Sequence, residues 1–358
     1  MISDPPIPEE KRVQGSWFLR RLKRLVSYVN HPFLLCYRGY GHDHSFRLQG
    51  HVFRGMAESK PSRHKRSLRN VLELIKMFLV RTIPSCRVAI PAFPGPGGQM
   101  YTVTTDECGY FEFEVQDHHL APGWHRIKVQ LLDHEYQGTK DIYVNAEIFI
   151  VGKVSRGIIS DIDDTVLVSH IGNIWRNAYL LGTRSSSGRK PFQGTAEFYR
   201  SLTGSETSNP RPIFYVSSSE WNLYEFLTRF MRHYQLPKGI LQLREIKDSW
   251  RDFFRSENRN HRHKLEKIER ILSFFPQLEF ILLGDNTQHD PRLYREISLH
   301  HPRQICGVYI RNVHASKMKT TQEELELIQQ NTTIPTLQFS HSKEALQHAQ
   351  NAGLTSDS

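Results

Sequence analysis

The chain has 358 residues, enough for two cores of ordinary size, and its 38% hydrophobic and 23% charged content excludes a disordered or fibrous protein. No apolar run approaches the ~18 residues that cross a bilayer, and the scattered Cys36, Cys86, Cys108 and Cys306 form no CxxC pair, which disfavours a disulfide framework, a thioredoxin motif or a zinc site. Forty-seven Lys and Arg against 37 Asp and Glu leave a formal charge of +10, equally compatible with contact to polyanions and with a solubility charge.

The N-terminus lacks the basic and apolar regions of a signal peptide, so the chain is expected in the cytoplasm. Residues 1–35 read as a basic amphipathic segment: Lys11, Arg12, Arg20, Arg21, Lys23 and Arg24 accompany Phe18, Leu22, Leu25 and Val29 at helical spacing. Such a helix lies on an anionic membrane or docks on its own domain, the second being the commoner outcome. A second helix is predicted from Leu68, with Val71, Leu72, Ile75, Phe78 and Leu79 on one face and Arg63, His64, Lys65 and Arg66 upstream; core packing again competes with a surface role. Period-two segments at Phe46–Phe53, Arg87–Ile90, Tyr110–Val115, Trp124–Leu132 and Ile142–Ile150, separated by Gly- and Pro-containing turns, make residues 36–151 a small antiparallel β-sandwich with one long helix and nothing catalytic in it.

From 152 to 340 the pattern changes to short apolar runs, Gly157–Ser160, Ile213–Val216, Phe280–Leu283 and Ile305–Ile310, alternating with predicted helices at Trp221–Tyr234, His263–Phe274 and Pro291–His300. Strands apolar on both faces and separated by helices indicate an α/β parallel sheet, whose ligand sits at the strands' carboxyl ends. A polar tail, 341–358, closes the chain.

The residues just after each run therefore carry the chemistry. After the first comes Asp161-Ile-Asp163-Asp164-Thr165, a carboxylate cluster that suits a divalent cation held by oxygen ligands, or an acidic loop or helix cap. After the second come Ser217, Ser218 and Ser219 at the start of a helix, an anion site or, more commonly, a simple cap. After the third come Gly284-Asp285 and Asp290; before it Lys264 opens a predicted helix, where lysines are more often merely exposed. Arg311 ends the last run, weighed evenly between a phosphate or headgroup contact and a surface salt bridge. His261 and His263 lack a third ligand nearby and read as a solvated pair.

In this order, a DxDxT segment, a strand-end serine, a lysine and an acidic pair resemble the four motifs of the haloacid dehalogenase superfamily. More closely, Ile159–Val166, Tyr215–Ser219 followed by Trp221, Phe280–Asp285 with Gln288–Pro291, and Val308–Arg311 resemble the actin-patch-protein type of phosphatidate phosphatase over residues 150–315. The sandwich resembles more loosely the N-terminal region of bacterial members. The chain departs from the family's GDSGQ at Asn286-Thr287 and from its SPW at Glu220, departures expected to act on substrate preference.

The resemblance implies a Rossmann-like haloacid-dehalogenase domain and Mg²⁺-dependent hydrolysis of a phosphate monoester, phosphatidate to diacylglycerol, through an aspartyl-phosphate. Carried over position by position, it implies Asp161 as nucleophile, Asp163 as general acid and base, Ser217, Lys264 and Arg311 on the phosphate, and the metal held by Asp161, the Asp163 backbone carbonyl and Asp285, with Asp290 as ligand or helper. Asp164 would support by hydrogen bonding. Segments 167–211 and 247–263 would form a cap or a basic rim. The expected partners are a phosphorylated lipid and an anionic membrane surface bound peripherally, without a transmembrane segment and without nucleic acid. Competing readings are a phosphatase for a soluble ester or phosphoprotein, and a non-catalytic anionic-lipid-binding protein.

Overall fold

The computed structural model describes residues 32–54, 81–91, 100–132, 142–162, 194–204, 207–244 and 257–356. The two predicted basic helices, Asp163, Asp164 and most of the expected cap lie outside them.

Nine strands form the first sheet: β1 (Pro32–Cys36), β2 (Gly39–Gly41), β3 (Ser45–Arg54), β4 (Arg81–Thr82), β5 (Arg87–Ile90), β6 (Tyr101–Thr104), β7 (Tyr110–Gln116), β8 (Gly123–Leu131) and β9 (Ile142–Ile150). Period-two alternation decides which side each residue faces. Phe111, Phe113 and Val115 of β7 and Ile127, Val129 and Leu131 of β8 turn inward, into one apolar cluster with Phe46, Leu48, Val88, Ile148 and Ile150. The sequence reading expected two antiparallel sheets. Instead one continuous ladder, β1-β3-β2-β9-β8-β5-β6 with β4 and β7 also on β3, folds over its own core, and β2 runs parallel to β9. The ladder is unbroken because ten-residue β3 is long enough to pair with β1, β2, β4 and β7. The turn before β7 follows from its residues: the Asp106 side chain accepts the backbone N–H groups of Cys108 and Tyr110, and Gly109 supplies the positive φ of 70°.

The second sheet is all parallel: β10 (Arg156–Asp161), β11 (Ile213–Glu220), β12 (Ile240–Arg244), β13 (Glu279–Asp285), β14 (Ile305–Arg311) and β15 (Thr336–Phe339), in the order β12-β11-β10-β13-β14-β15. The helices are α1 (Thr195–Thr203), α2 (Tyr224–His233), α3 (Glu257–Phe274), α4 (Asp290–His300), α5 (Met318–Asn331) and α6 (Ser342–Asn351). Strands apolar on both sides need cover on both sides. Ile158, Tyr215, Ile281, Leu283 and Tyr309 pack with α1, α2 and α6; Ile159, Phe214, Phe280, Leu282, Val308 and Ile310 pack with α3, α4 and α5. Two edge strands and three helices were absent from the sequence reading. The predicted polar tail is corrected in particular: α6 docks through Ala345 and Ala349, and Leu354 follows it into the core. Among the described residues no helix is long and apolar enough to cross a membrane.

The two sheets share a polar and aromatic contact. Glu147 of β9 is bonded by Arg38 (3.1 Å) and by Lys238 (2.8 Å), which sits just before β12, and Tyr40 meets Phe214 and Phe274 edge-on at 5.3 and 5.1 Å. His51 of β3 stacks on Trp221 at 4.6 Å and its Nδ1 bonds the Tyr37 hydroxyl at 2.7 Å. Burial lowers the His51 pKa to about 3, against the opposing pull of Asp106. The ring is thus neutral when folded and protonated when unfolded below its ordinary value of 6.5. Its stabilising contribution is complete above that value and is lost as pH falls toward 3, by about 1.4 kcal/mol per pH unit. In urea titrations between pH 7 and 4, His51→Phe is expected to show a shallower loss of stability than the unsubstituted protein; equal slopes would contradict a neutral buried histidine.

Candidate active site

The order of the parallel strands locates the site. The chain leaves β10 toward β11 on one side and later returns to β13 on the other, so a crevice opens at the carboxyl ends of β10 and β13, where open α/β sheets bind ligands. Asp161 is the last residue of β10 and Asp285 the last of β13, and both are buried, 1% and 0% exposed. Carboxylates this deeply buried need compensation.

Lys264 supplies it. Predicted to open a helix, it lies about two turns inside α3, where its spacing to Ile268 and Ile271 puts it on the buried face. Its Nζ is 2.9 Å from Asp161 Oδ1 and 3.1 Å from Asp290 Oδ1, and donates to Gln288 Oε1 at 3.2 Å. Asp290 begins α4, and its other oxygen accepts the Asp285 backbone N–H at 3.4 Å. This closeness requires Gly284: a Cβ there would sit 2.8 Å from Asp290 Oδ2 and from the Tyr294 ring. Asp161, Lys264, Asp290 and the end of β13 therefore form one connected unit drawn from three separated sequence segments. With both oxygens engaged, Asp290 has the geometry of a brace.

Asp285 Oδ1 accepts the Thr287 backbone N–H at 2.7 Å, which holds the carboxylate in the turn after β13. Ser217 follows Val216, the register partner of Asp161, and is fully buried; its Oγ accepts the Ser219 N–H at 2.9 Å. Arg311 is Asp285's register partner on β14 and is buried, at 2% exposure, not on the surface. Its guanidinium donates to Ser342 Oγ (2.7 Å) and Thr195 Oγ1 (3.2 Å) and lies over the Phe339 ring at 4.7 Å. Burial lowers its pKa, opposed by Tyr199 and Asp285. The helix starts that hold Arg311, on α1 and α6, were missed from the sequence, although Phe198, Tyr199 and Leu202 give α1 an apolar face that was an available signal; α6 buries only small residues.

Ser160 and Tyr199 were also missed. Ser160 Oγ donates to the Asp161 carbonyl at 2.9 Å and bonds Tyr199 Oη at 2.8 Å, anchoring the backbone that carries Asp161, and burial pushes the tyrosine's pKa up to about 12. A polar residue inside an apolar strand was the available signal. Asn286, expected to act on substrate preference, is instead 1% exposed and spent on backbone: its Oδ1 accepts the Val313 and His314 N–H groups, and its Nδ2 donates to the His314 carbonyl. It ties the turn after β13 to the turn after β14.

The oxygen-rich, sulfur-free donor set is that of a hard divalent cation. Among the described residues no three His, Cys, Asp or Glu side chains converge to hold a metal by themselves. Asp163, the remaining expected contributor, lies outside them.

Residues 156–312 match the family described as phosphatidate phosphatase APP1, catalytic domain. The chain is 26% identical over 280 residues to the Saccharomyces cerevisiae phosphatidate phosphatase APP1, covering 74% of this chain and 44% of the yeast protein. It is 24% identical over 169 residues to Schizosaccharomyces pombe uncharacterized protein C29B5.04c, covering 47% of this chain and 27% of that protein. The chain thus spans less than half the length of these curated relatives. Among solved structures, a Parabacteroides merdae beta-glucuronidase overlaps 86% of this chain and 38% of its own at 7% identity with a TM-score of 0.23, too low to bear on fold or function. The matched segment begins at β10 and ends just beyond β14, so it contains both strand-end carboxylates, Lys264 and Arg311, and it is over this segment that the chain is similar to the phosphatidate phosphatase APP1 catalytic domain.

Proposed function

We propose that the protein is a Mg²⁺-dependent phosphatase of the haloacid dehalogenase type that releases phosphate from phosphatidate. The observation that carries this reading is the buried Asp161–Lys264–Asp290 unit beside Asp285 at the sheet's switch point, inside the family-matched segment. The name of the yeast relative supports the substrate class.

Asp161 and Asp285 would hold the cation with the Asp163 backbone carbonyl, and Asp290 would fix Lys264 and the β13 turn. The bound cation would supply positive charge that offsets repulsion between carboxylate and phosphate. Asp161 attacks phosphorus in line; its carboxylate oxygen forms the new bond as the ester oxygen leaves. Asp163 gives that oxygen a proton and afterwards takes one from the water that cleaves the acyl-phosphate. Lys264 and Ser217, each fixed by neighbours, are suited to hold the transferring oxygens without reorganising during reaction. Arg311 faces hydroxyls of α1 and α6 and would act on the phosphate through the field it sets at Asp285.

Peripheral attachment to an anionic surface is part of the same proposal, and the place where the basic segments join the first sheet is compatible with it. Pro32, where segment 1–31 joins, pairs with Arg54, where 55–80 begins, and Arg54 pairs with Arg81, where 55–80 ends. Both lysine- and arginine-rich segments therefore leave the first sheet at one end, beside Phe53, which touches Trp221 just after β11. Basic residues near such a surface contribute about 1 kcal/mol each and are weakened by salt.

Phosphate release from phosphatidate vesicles and from soluble monoesters, with Mg²⁺ or chelator, tests the reading. Turnover of phosphatidate that needs Mg²⁺ is expected. Turnover of soluble esters alone would replace the substrate, and Mg²⁺-independent turnover would remove the cation. Sedimentation with anionic liposomes at low and high salt is expected to show salt-sensitive binding, and absence of binding at both would exclude the membrane contact.

A further inference from the structure

The first sheet reaches the residues that follow the strand-end serines. β11 pairs with β12 through Phe214, Tyr215 and Val216, and the ladder resumes only at Glu220 with Arg244, the register shifting across Ser217–Ser219. Directly after this irregular stretch comes a single turn, Trp221–Leu223, and then α2. Both ends of that turn are gripped by the first sheet. Trp221 stacks on His51 at 4.6 Å and on Phe53 at 4.5 Å, each at 23°, and His51 and Phe53 stack on one another with 5° between planes. Tyr224 packs against Tyr37 at 4.8 Å, and its Oη accepts the Arg38 backbone N–H at 2.8 Å. Tyr37 in turn holds His51 through its hydroxyl. Trp221 and Tyr224 are each 7% exposed.

We infer that the first sheet is a positioning element for the phosphate-facing serine turn, with Trp221 as the positioning residue that transmits the contacts of His51 and Phe53 to Ser217. This rests on the reading of Ser217 as a phosphate-binding group. Stacking on two rings, His51 and Phe53, fixes the orientation of the Trp221 side chain, and the chain is too short over the few residues from Ser217 to Trp221 to absorb a displaced anchor. Misplacing a group that meets the transferring phosphate by about 1 Å costs on the order of 100-fold in rate.

Two measurements on the full-length protein test it. The first is a double-substitution cycle with Ser217→Ala, read as kcat and KM for an aryl phosphate with Mg²⁺. Trp221→Ala is expected to lower kcat about 10- to 100-fold with KM changed less than about 3-fold. Trp221→Phe, which can still stack, is expected to recover most of that loss. In the Ser217→Ala background Trp221→Ala should cost almost nothing more, because the group it positions is gone. Multiplicative losses would show that Trp221 does not act through Ser217 and would overturn the inference, while turnover by the unsubstituted protein would leave the phosphatase reading standing.

The second measurement does not depend on turnover. Amide hydrogen exchange is expected to speed up at least about tenfold over residues 213–223 in His51→Ala and Trp221→Ala, with residues 279–285 of β13 unchanged. His51→Ala serves if Trp221→Ala fails to fold, since Phe53 still covers the indole. Unchanged exchange over 213–223 would overturn the clamp. Should no phosphate ester be turned over by the unsubstituted protein, the phosphatase reading falls, and the exchange experiment still decides whether the first sheet sets the serine turn.

Discussion

Asp161→Asn is expected to abolish phosphate release, a loss of at least about 1,000-fold, with the fold kept. The carboxylate ends β10 in a buried position, so its shape matters to packing and its charge to chemistry. Asparagine keeps the shape, and its side-chain oxygen can still accept from Lys264, now 2.9 Å from Asp161 Oδ1. Lys264 also keeps Asp290, so the substitution strands no buried cation. What is lost is the anionic nucleophile. Asp163→Asn is expected to fail differently, by removing the proton donor for the leaving oxygen and the base for water. An activated aryl phosphate, whose leaving group needs no proton, should therefore partly restore Asp163→Asn and hardly restore Asp161→Asn. Steady-state phosphate release from both ester types, with circular dichroism as the folding control, separates the two. Substantial activity in folded Asp161→Asn would remove it as nucleophile.

The parts of this site that were legible in the sequence share a physical cause. A strand buried on both faces must be apolar, so Gly157–Ser160 and Phe280–Leu283 stood out, and the acidic residues that interrupted them marked the strand ends. Lys264 carried a quieter signal. It belongs to the series Lys264, Ile268, Ile271 and Leu272 on one helix face, and a lysine in a buried stripe needs an acidic partner. Its partners, however, come from other segments, and single-sequence periodicity cannot supply them.

What stayed hidden is mostly contact between distant segments. β12 and β15 sit at the sheet edges, where Gln242 and Gln338 break the apolar run. Helix α6 buries small side chains, Ser342, Ala345 and Ala349, in place of the large apolar residues by which a core-facing helix is usually recognised. The role of Asn286 depends on the backbone of residues 313–314, and that of Trp221 on rings from β3, so neither could be read from its neighbours in the chain. The first sheet was expected to be catalytically silent. It contributes none of the charged residues at the strand ends, yet it touches the segment that carries the serines.

Lys264→Met is expected to damage stability and catalysis together, and Mg²⁺ is expected to mend only the first. Methionine replaces the aliphatic stem at similar length, so packing of α3 beside Ile268 is retained while the ammonium disappears. Asp161 and Asp290, each 1% exposed, then lose the cation that lies about equally close to both. Removing one partner of a buried ion pair costs roughly 3–5 kcal/mol, because the remaining charge cannot be rehydrated. A divalent cation drawn to Asp161 and Asp285 would offset part of that charge, so the melting temperature of Lys264→Met should rise with Mg²⁺ by more than that of the unsubstituted protein. Activity should not follow, since the transferring phosphate still lacks its fixed ammonium; a loss of about 100- to 1,000-fold in kcat is expected at saturating Mg²⁺. Thermal melts and phosphate release over one Mg²⁺ titration provide the comparison. If Mg²⁺ leaves the melting temperature of Lys264→Met unchanged, the strand-end carboxylates do not bind the cation; if activity returns with stability, Lys264 acts only as a structural counter-charge.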